Sequence, residues 1–264
     1  MIVKGGGDLA TAVAHKLFHA GFSVIITELE KPRMVRCLVS FANSIYEGEW
    51  TVEGVTAVLA DGAEEVKKVL KMGKIPLIID PSCEIRKDIL PMVIVDATLA
   101  KKNCGTTLED APIVIGLGPG FTAGKNAHGI IETKRGHHLG RIFYKGTAEP
   151  NTGVPGNIGG FTKERVFRAP CKGIVKNHLE IGAPVRTGQI LCSVNGCGVA
   201  AGISGIVRGL IHDGLMVKEN EKLGDIDPRG EKEYCCTISD KGRNVAGGVL
   251  EAVLYLMQKK NLRI

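Results

Sequence analysis

Residues 169 to 191 and 201 to 223 carry one segment twice, and no other feature of the chain restricts its fold as strongly. An offset of 32 lays Ala169 on Ala201, Gly173 on Gly205, Ile174 and Val175 on Ile206 and Val207, Gly182 on Gly214, Val185 on Val217 and Leu191 on Leu223. Each copy reads as a short strand, a glycine turn and a second short strand. An element that small cannot bury a face alone, so the two copies must pack on each other. The spacing predicts a small all-β domain over 161–236.

The first 120 residues have a different texture. Strand-like runs at 2–4, 23–28, 55–59, 75–80, 92–96 and 113–116 alternate with helical spacing at 9–20, roughly 32–43 and 63–72. Alternation of this kind predicts an α/β fold, a Rossmann-like parallel sheet domain over 1–160. Glycine and proline are dense from Gly116 to Phe161 and exclude long regular elements there. Ser239 beside Asp240 is a good helix N-cap, and the apolar stripe Val245, Val249, Leu250, Val253, Leu254 and Met257 predicts a C-terminal helix over 237–264, packing back on the first domain. Gly247 and Gly248 each cost that helix about 1 kcal/mol relative to alanine, a cost tolerable where another backbone approaches closely.

A formal charge of +6 with 5% aromatic residues leaves little on which to stack bases, so nucleic acid is not an expected partner. Anionic small molecules suit the charge better. The opening Met-Ile-Val-Lys-Gly-Gly lacks the charged leader and apolar core of a signal peptide, and no apolar run reaches the ~20 residues of a membrane span. The cytoplasm is the expected location. There the eight cysteines are expected as reduced thiols. No CxxC pairs with a second one, and Cys235 and Cys236 are adjacent and point to opposite faces of a strand, so no metal site is expected.

Strand, glycine-rich turn and helix open the chain as Gly5-x-Gly7-x-x-Ala10, and Glu28 stands 21 residues after Gly7, where dinucleotide-binding folds place an acid for ribose. Asp8 works against a pyrophosphate in that turn; the alternative is a tight turn with Asp8 capping the helix. Gly6, where many dinucleotide loops have alanine, is a difference expected to be harmless. Ligands of open parallel sheets sit at the carboxyl ends of the strands, and those ends here carry Gly5, Gly7, Asp8, Glu28, Asp80, Asp96 and the loop Gly116, Gly118, Gly120, Thr122. Lys101, Arg135 and His137 add charge nearby. Together Gly5, Gly7, Asp8, Glu28, Asp96, Lys101, Gly116, Gly118, Gly120, Thr122, Arg135 and His137 form the candidate ligand-binding set. The second glycine loop offers N–H groups to an anion, and a side chain at Gly118 is expected to weaken binding without unfolding the protein. Asp80 and Asp96 either share the crevice, where the pair could hold Mg²⁺ or perturb each other's pKa, or cap helices and hold loops. No hydrolase motif and no GxxxxGK[ST] is present, and no catalytic residue is assigned.

The repeated segment resembles the barrel-sandwich hybrid domains that carry biotin or lipoate, with Asn195-Gly196-Cys197-Gly198 at the hairpin tip. Gly198 stands where the carrier lysine belongs, so no swinging arm is expected. Cys197 is either a small turn residue or a thiol that handles sulfur. Along nearly its whole length the chain resembles the selenium-dependent molybdenum hydroxylase system protein family. The segments that carry this likeness include Lys4-Gly5-Gly6-Gly7-Asp8-Leu9-Ala10-Thr11, Gly116-Leu117-Gly118-Pro119-Gly120-Phe121-Thr122-Ala123-Gly124, Pro150-Asn151-Thr152-Gly153, Gly224-Asp225-Ile226-Asp227-Pro228-Arg229 and Thr237-Ile238-Ser239-Asp240-Lys241. The resemblance implies an accessory or maturation protein whose partners are a molybdenum hydroxylase or its maturation proteins, binding a nucleotide or a molybdopterin dinucleotide. It carries over no catalytic residues. An NAD(P)-dependent oxidoreductase and a docking scaffold without a small ligand are the alternatives, and self-association is an open outcome.

Overall fold

The computed structural model describes residues 1–100 and 102–262. Short apolar strands, buried on both faces, build the first of two units: 1–32, 41–152 and the C-terminal stretch from Ile238. In chain order these elements are β1 (Ile2–Lys4), α1 (Asp8–His19), β2 (Ile25–Glu28), α2 (Ser44–Glu47), β3 (Glu49–Val52), β4 (Val55–Leu59), α3 (Gly62–Lys71), β5 (Ile75–Ile79), α4 (Arg86–Ile89), β6 (Val93–Asp96), β7 (Ile113–Leu117), β8 (Gly129–Ile131) and β9 (Ile142–Phe143). The nine strands lie in the order β3-β4-β5-β2-β1-β6-β7-β8-β9. All neighbours are parallel except at the two edges, where β3 and β9 run antiparallel to β4 and β8. From β1 the chain turns to β2 on one side, whereas β6 and β7 continue on the other. The carboxyl ends of β1 and β6 therefore flank the point where strand order reverses, the usual ligand crevice of such sheets.

Three strands of this sheet, β3, β8 and β9, are missed by the sequence pattern, the last two being strands of three and two residues within the glycine-rich stretch after Gly116. Strand β3 escapes a hydrophobicity pattern because it is an edge strand with Glu49 and Thr51 exposed, held by pairing with β4 and a Thr51–Thr56 hydroxyl contact of 2.8 Å. The helix expected over 32–43 is replaced by two single 3-10 turns, Cys37–Val39 and Phe41–Asn43. The reason is pairing outside the segment: residues 33–40 belong to the second unit, where the Val35 carbonyl accepts the Leu210 N–H at 2.6 Å and Arg33 reaches Glu221 at 2.6 Å. The remainder of that unit spans 153–237.

In the second unit the repeat becomes two interlocked halves. Strands β11 (Gly173–Asn177), β12 (Pro184–Val185) and β13 (Ile190–Val194) recur 32 residues later as β15 (Gly205–Leu210), β16 (Met216–Val217) and β17 (Lys222–Asp227). Each copy gives its short middle strand to the other, β16 pairing with β11 and β12 with β15. With β10 (Val166–Arg168) and β14 (Cys197–Ala200), two four-stranded sheets result, β10-β17-β15-β12 and β14-β13-β11-β16. Most of the coincident apolar residues form the shared core: Ala169 and Ala201, Val175 and Val207, Val185 and Val217, Leu191 and Leu223 are all buried in one cluster, whereas Ile174 is exposed. Burial of each Val or Leu stabilises by roughly 1.5–3 kcal/mol. A one-turn helix, α5 (Glu233–Cys236), closes the unit.

Helix α6 (Asp240–Lys259) then returns to the first unit. Ser239 Oγ accepts the Gly242 N–H at 3.1 Å, which caps it. Val245, Val249, Val253 and Met257 are buried as the stripe requires, and Gly242 lies against Ala12 of α1. Leu254 instead faces outward. Among the described residues, no helix is long and apolar enough to cross a membrane.

Candidate functional site

Strand alternation puts Lys4 and Asp96 on the sheet face of Ile2 and Ile94, and register places Thr27, Lys4, Asp96 and Gly116 side by side across four strands. Lys4 and Asp96 are both buried. A buried charge persists only with partners, and they are present. Lys4 Nζ donates to Thr106 Oγ1 at 2.6 Å, that hydroxyl donates to Asp96 Oδ2 at 2.6 Å, and Lys4 Nζ stands 3.6 Å from the same carboxylate oxygen. Asp96 Oδ1 accepts the Thr98 hydroxyl at 2.7 Å and its N–H at 3.2 Å. Cys83 packs beside Lys4, buried, and burial pushes its thiol up to about 11 despite the nearby ammonium. Such a thiol is not a nucleophile near neutrality.

The glycine-rich turn closes on the chain itself. Gly5 has φ +95 and donates its N–H to the Thr27 carbonyl at 2.7 Å. Gly6 donates to Glu28 Oε2 at 2.6 Å, and Leu29 donates to Oε1 at 2.7 Å. Burial raises the Glu28 pKa, with these two bonds opposing. Both oxygens of the acid that matched a ribose ligand are thus engaged by backbone. Position 6 requires glycine, since a Cβ there would meet the Ala42 nitrogen at 2.9 Å. Gly7 sits at the N-cap of α1 with extended backbone and open space where a side chain would lie.

At the start of α1 the charges gather. Asp8 lies in its first turn, and Lys241, from the first turn of α6, interacts with it. Burial lowers the Lys241 pKa, Asp8 partly offsets this, and Arg135 adds to the lowering. Arg135 grips Asp240 with two guanidinium nitrogens at 2.6 and 2.7 Å. Buried Glu132 fastens the adjoining loop by accepting the Lys134 and Glu149 N–H groups at 2.7 and 2.8 Å. Lys241 and Lys4 are the functional candidates that pattern reading passed over. Lys4 ends an otherwise apolar strand on its buried face, and Lys241 stands two residues after the helix cap Ser239.

The second glycine loop is largely self-satisfied. Gly118, Ala123, Gly124 and Lys125 donate their N–H groups to carbonyls of Ile131, Gly146, Ala127 and Thr122, and Thr122 donates to Asn126 Oδ1 at 2.8 Å. Gly118 has φ +73, and a Cβ would lie 2.6 Å from Thr133 Oγ1, so it is a structural turn and its replacement strains the fold itself, contrary to the sequence expectation. Gly116 makes room for the Phe121 ring, and Gly120 abuts the backbone of Lys102 and Asn103. Lys101 lies outside the described residues. His137 leaves the crevice: with Gly140, Asn244 and Glu251 it lines a separate open groove of about 650 Å³. A further hollow of about 800 Å³ lies beside the ends of β4 and β5, where Asp61, Glu65, Asp80, Glu84 and Asp88 outnumber Lys87. That hollow repels anions, and Asp80 Oδ2 holds the Ile85 N–H at 2.8 Å as a loop clasp. Among the described residues no group of three or more His, Cys, Asp or Glu side chains is arranged to hold a metal ion.

No family model matches the chain. It is 49% identical over 259 residues to the uncharacterized protein YqeB of Escherichia coli (strain K12), an alignment covering 98% of this chain and 48% of that protein. The chain therefore spans about half the length of the curated relative it matches. Among solved structures, the product-bound ectoine utilization protein EutE (DoeB) of Ruegeria pomeroyi aligns over 85% of this chain and 56% of its own, at 15% identity and TM-score 0.24. An aspartoacylase family protein from Mesorhizobium loti aligns over 76% of this chain and 83% of its own, at 9% identity and TM-score 0.27. Scores this low carry no argument about fold or chemistry.

Proposed function

We propose that this protein is a cytoplasmic accessory factor for selenium-dependent molybdenum hydroxylases. Its first unit binds a phosphate-bearing small molecule, a nucleotide or pterin dinucleotide, at the carboxyl edge of the sheet. The observation that carries the ligand class is half-buried Lys241, which interacts with Asp8 in the first turn of α1 and with Arg135, itself held on Asp240. A helix N-terminus favours negative charge, and adjoining cations strengthen it. Asp8 and Asp240 neutralise those cations in the free protein, so a bound phosphate exchanges one set of charge-assisted bonds for another. The second unit, with its interlocked halves, we read as a barrel-sandwich hybrid of the biotinyl and lipoyl type that has no carrier lysine and serves as the partner-facing module.

The oxidoreductase alternative is weaker, because Glu28 already holds the Gly6 and Leu29 N–H groups and is not presented to a ribose. The accessory role is tested in the cell that makes the protein. Deleting its gene is expected to abolish hydroxylase activity while the hydroxylase polypeptide stays at its normal level; undiminished activity in the deletion strain refutes the role.

A further inference from the structure

Two thiols that are distant in sequence meet at the hairpin end of the second unit. Asn195 and Gly196 form the tight turn between β13 and β14, with φ of 47 and 83, as two-residue hairpins require. Val194 and Cys197 face each other across that hairpin. The segment before β11 is pinned to the tip by Asn195, whose Oδ1 accepts the Ile174 N–H at 3.1 Å and whose Nδ2 donates to the Lys172 carbonyl at 3.4 Å. Cys171, next to Lys172, directs its thiol to the carbonyl of Val194, the cross-strand partner of Cys197, at 3.6 Å, and the Cys197 thiol acts on it electrostatically. Cys197 is exposed and Cys171 half-buried.

We propose that Cys171 and Cys197 form a dithiol site that exchanges with external disulfides, Cys197 attacking and Cys171 resolving. The Cys197 thiolate attacks one sulfur of R–S–S–R, giving the mixed disulfide Cys197–S–S–R and releasing RS⁻. The Cys171 thiolate then attacks the Cys197 sulfur, the second RS⁻ leaves, and a Cys171–Cys197 disulfide remains. Two protein thiols are oxidised, the external disulfide is reduced to two thiols, and the two protein protons pass to the leaving thiolates. The order of attack follows exposure. Partial burial, the Cys197 thiol and Glu219 all push the Cys171 thiol up, which keeps it in reserve for the second step. The partner class is therefore a disulfide, whether of a small thiol or of a protein, that can reach an exposed hairpin.

The test treats the full chain with glutathione disulfide at mildly alkaline pH and maps cysteine peptides by mass spectrometry. Wild type is expected to yield the Cys171–Cys197 cross-link. Cys171→Ser is expected to accumulate a glutathione adduct on Cys197 at least about tenfold above wild type, since its resolving thiol is gone. Cys197→Ser is expected to form no cross-link. Cys104 and Cys236, also exposed, serve as reference thiols. Equal adduct on Cys197 in wild type and Cys171→Ser, or no reaction at Cys197 in either, overturns the proposal.

Discussion

Asp225→Asn is expected to destabilise the second unit by about 3–5 kcal/mol, the scale for removing one partner of a buried ion pair. Asp225 is 2% exposed, and its Oδ2 lies 3.1 Å from Arg165, 3.3 Å from Arg208 and 3.1 Å from Lys222. Asparagine keeps the shape but removes the counter-charge that Arg165 and Lys222 share, while Arg208 retains only Asp227 at 3.6 Å. The arrangement is not optimal even now, since Asp225 Oδ1 and Arg208 Nε have no hydrogen-bond partner. The charge itself is nonetheless strongly held. Burial alone would raise the Asp225 pKa, but Lys222, Arg208 and Arg165 outweigh it and keep it well below the ordinary carboxylate range. A depressed folded-state pKa means stability is fully present above the unfolded value of 3.8 and is lost as pH falls below it towards the folded value. Hydrogen exchange of β15 and β17 in wild type and variant reads both effects. Unchanged protection in the variant would show that the cluster contributes nothing net.

The paired glycines of α6 are expected to respond in opposite directions to the same substitution. Gly247→Ala should stabilise by roughly 1 kcal/mol, the helix-propensity difference, because nothing lies within 4 Å of the added carbon. Gly248→Ala puts a Cβ 2.2 Å from the Gly140 carbonyl oxygen. Backbone cannot yield there as a side-chain tip would, so a loss of several kcal/mol is expected, beyond the common 1–3 kcal/mol of overpacking. Urea unfolding of the two variants, followed by circular dichroism, gives the sign of each. Equal effects would mean that α6 does not approach the 140 region as closely as described.

How much was legible follows from what each signal depends on. The repeat located much of the core of the second unit because most apolar residues shared between copies are those that both halves must bury, as Val175 with Val207 and Leu191 with Leu223 show, although Ile174 is exposed while Ile206 is buried. The parallel strands other than β8 were legible because burial on both faces leaves continuous apolar runs. Residues 33–40 were misread because their apolar spacing suits a helix, whereas their hydrogen bonds run to Leu210 and Met216, far away in sequence. Glycines were the least reliable guides to the site. Gly5, Gly116 and Gly118 are explained by close neighbours or by φ, and a glycine-rich loop looks the same in sequence whether its N–H groups face a ligand or their own carbonyls. Lys241 was overlooked because its importance lies in proximity to Asp8 and Arg135, which only the packing of α6 near α1 creates. The Cys171–Cys197 pair was half visible: Cys197 stood out at the hairpin tip, but nothing in sequence brings Cys171 to it.

The claim that an anion binds at the start of α1 is tested most directly by calorimetric titration of the full chain with inorganic pyrophosphate, wild type against Lys241→Met, over a series of pH values. Lys241 carries its charge below a pKa that burial has lowered from 10.5. Binding to wild type should therefore be tight below that pKa and weaken as pH rises through it. Lys241→Met should bind roughly 10- to 100-fold more weakly at neutral pH, the equivalent of one charge-assisted hydrogen bond of about 1.5–3 kcal/mol, and should lose the alkaline dependence. Equal affinity in the two proteins, or no heat with wild type at any pH, would contradict the account.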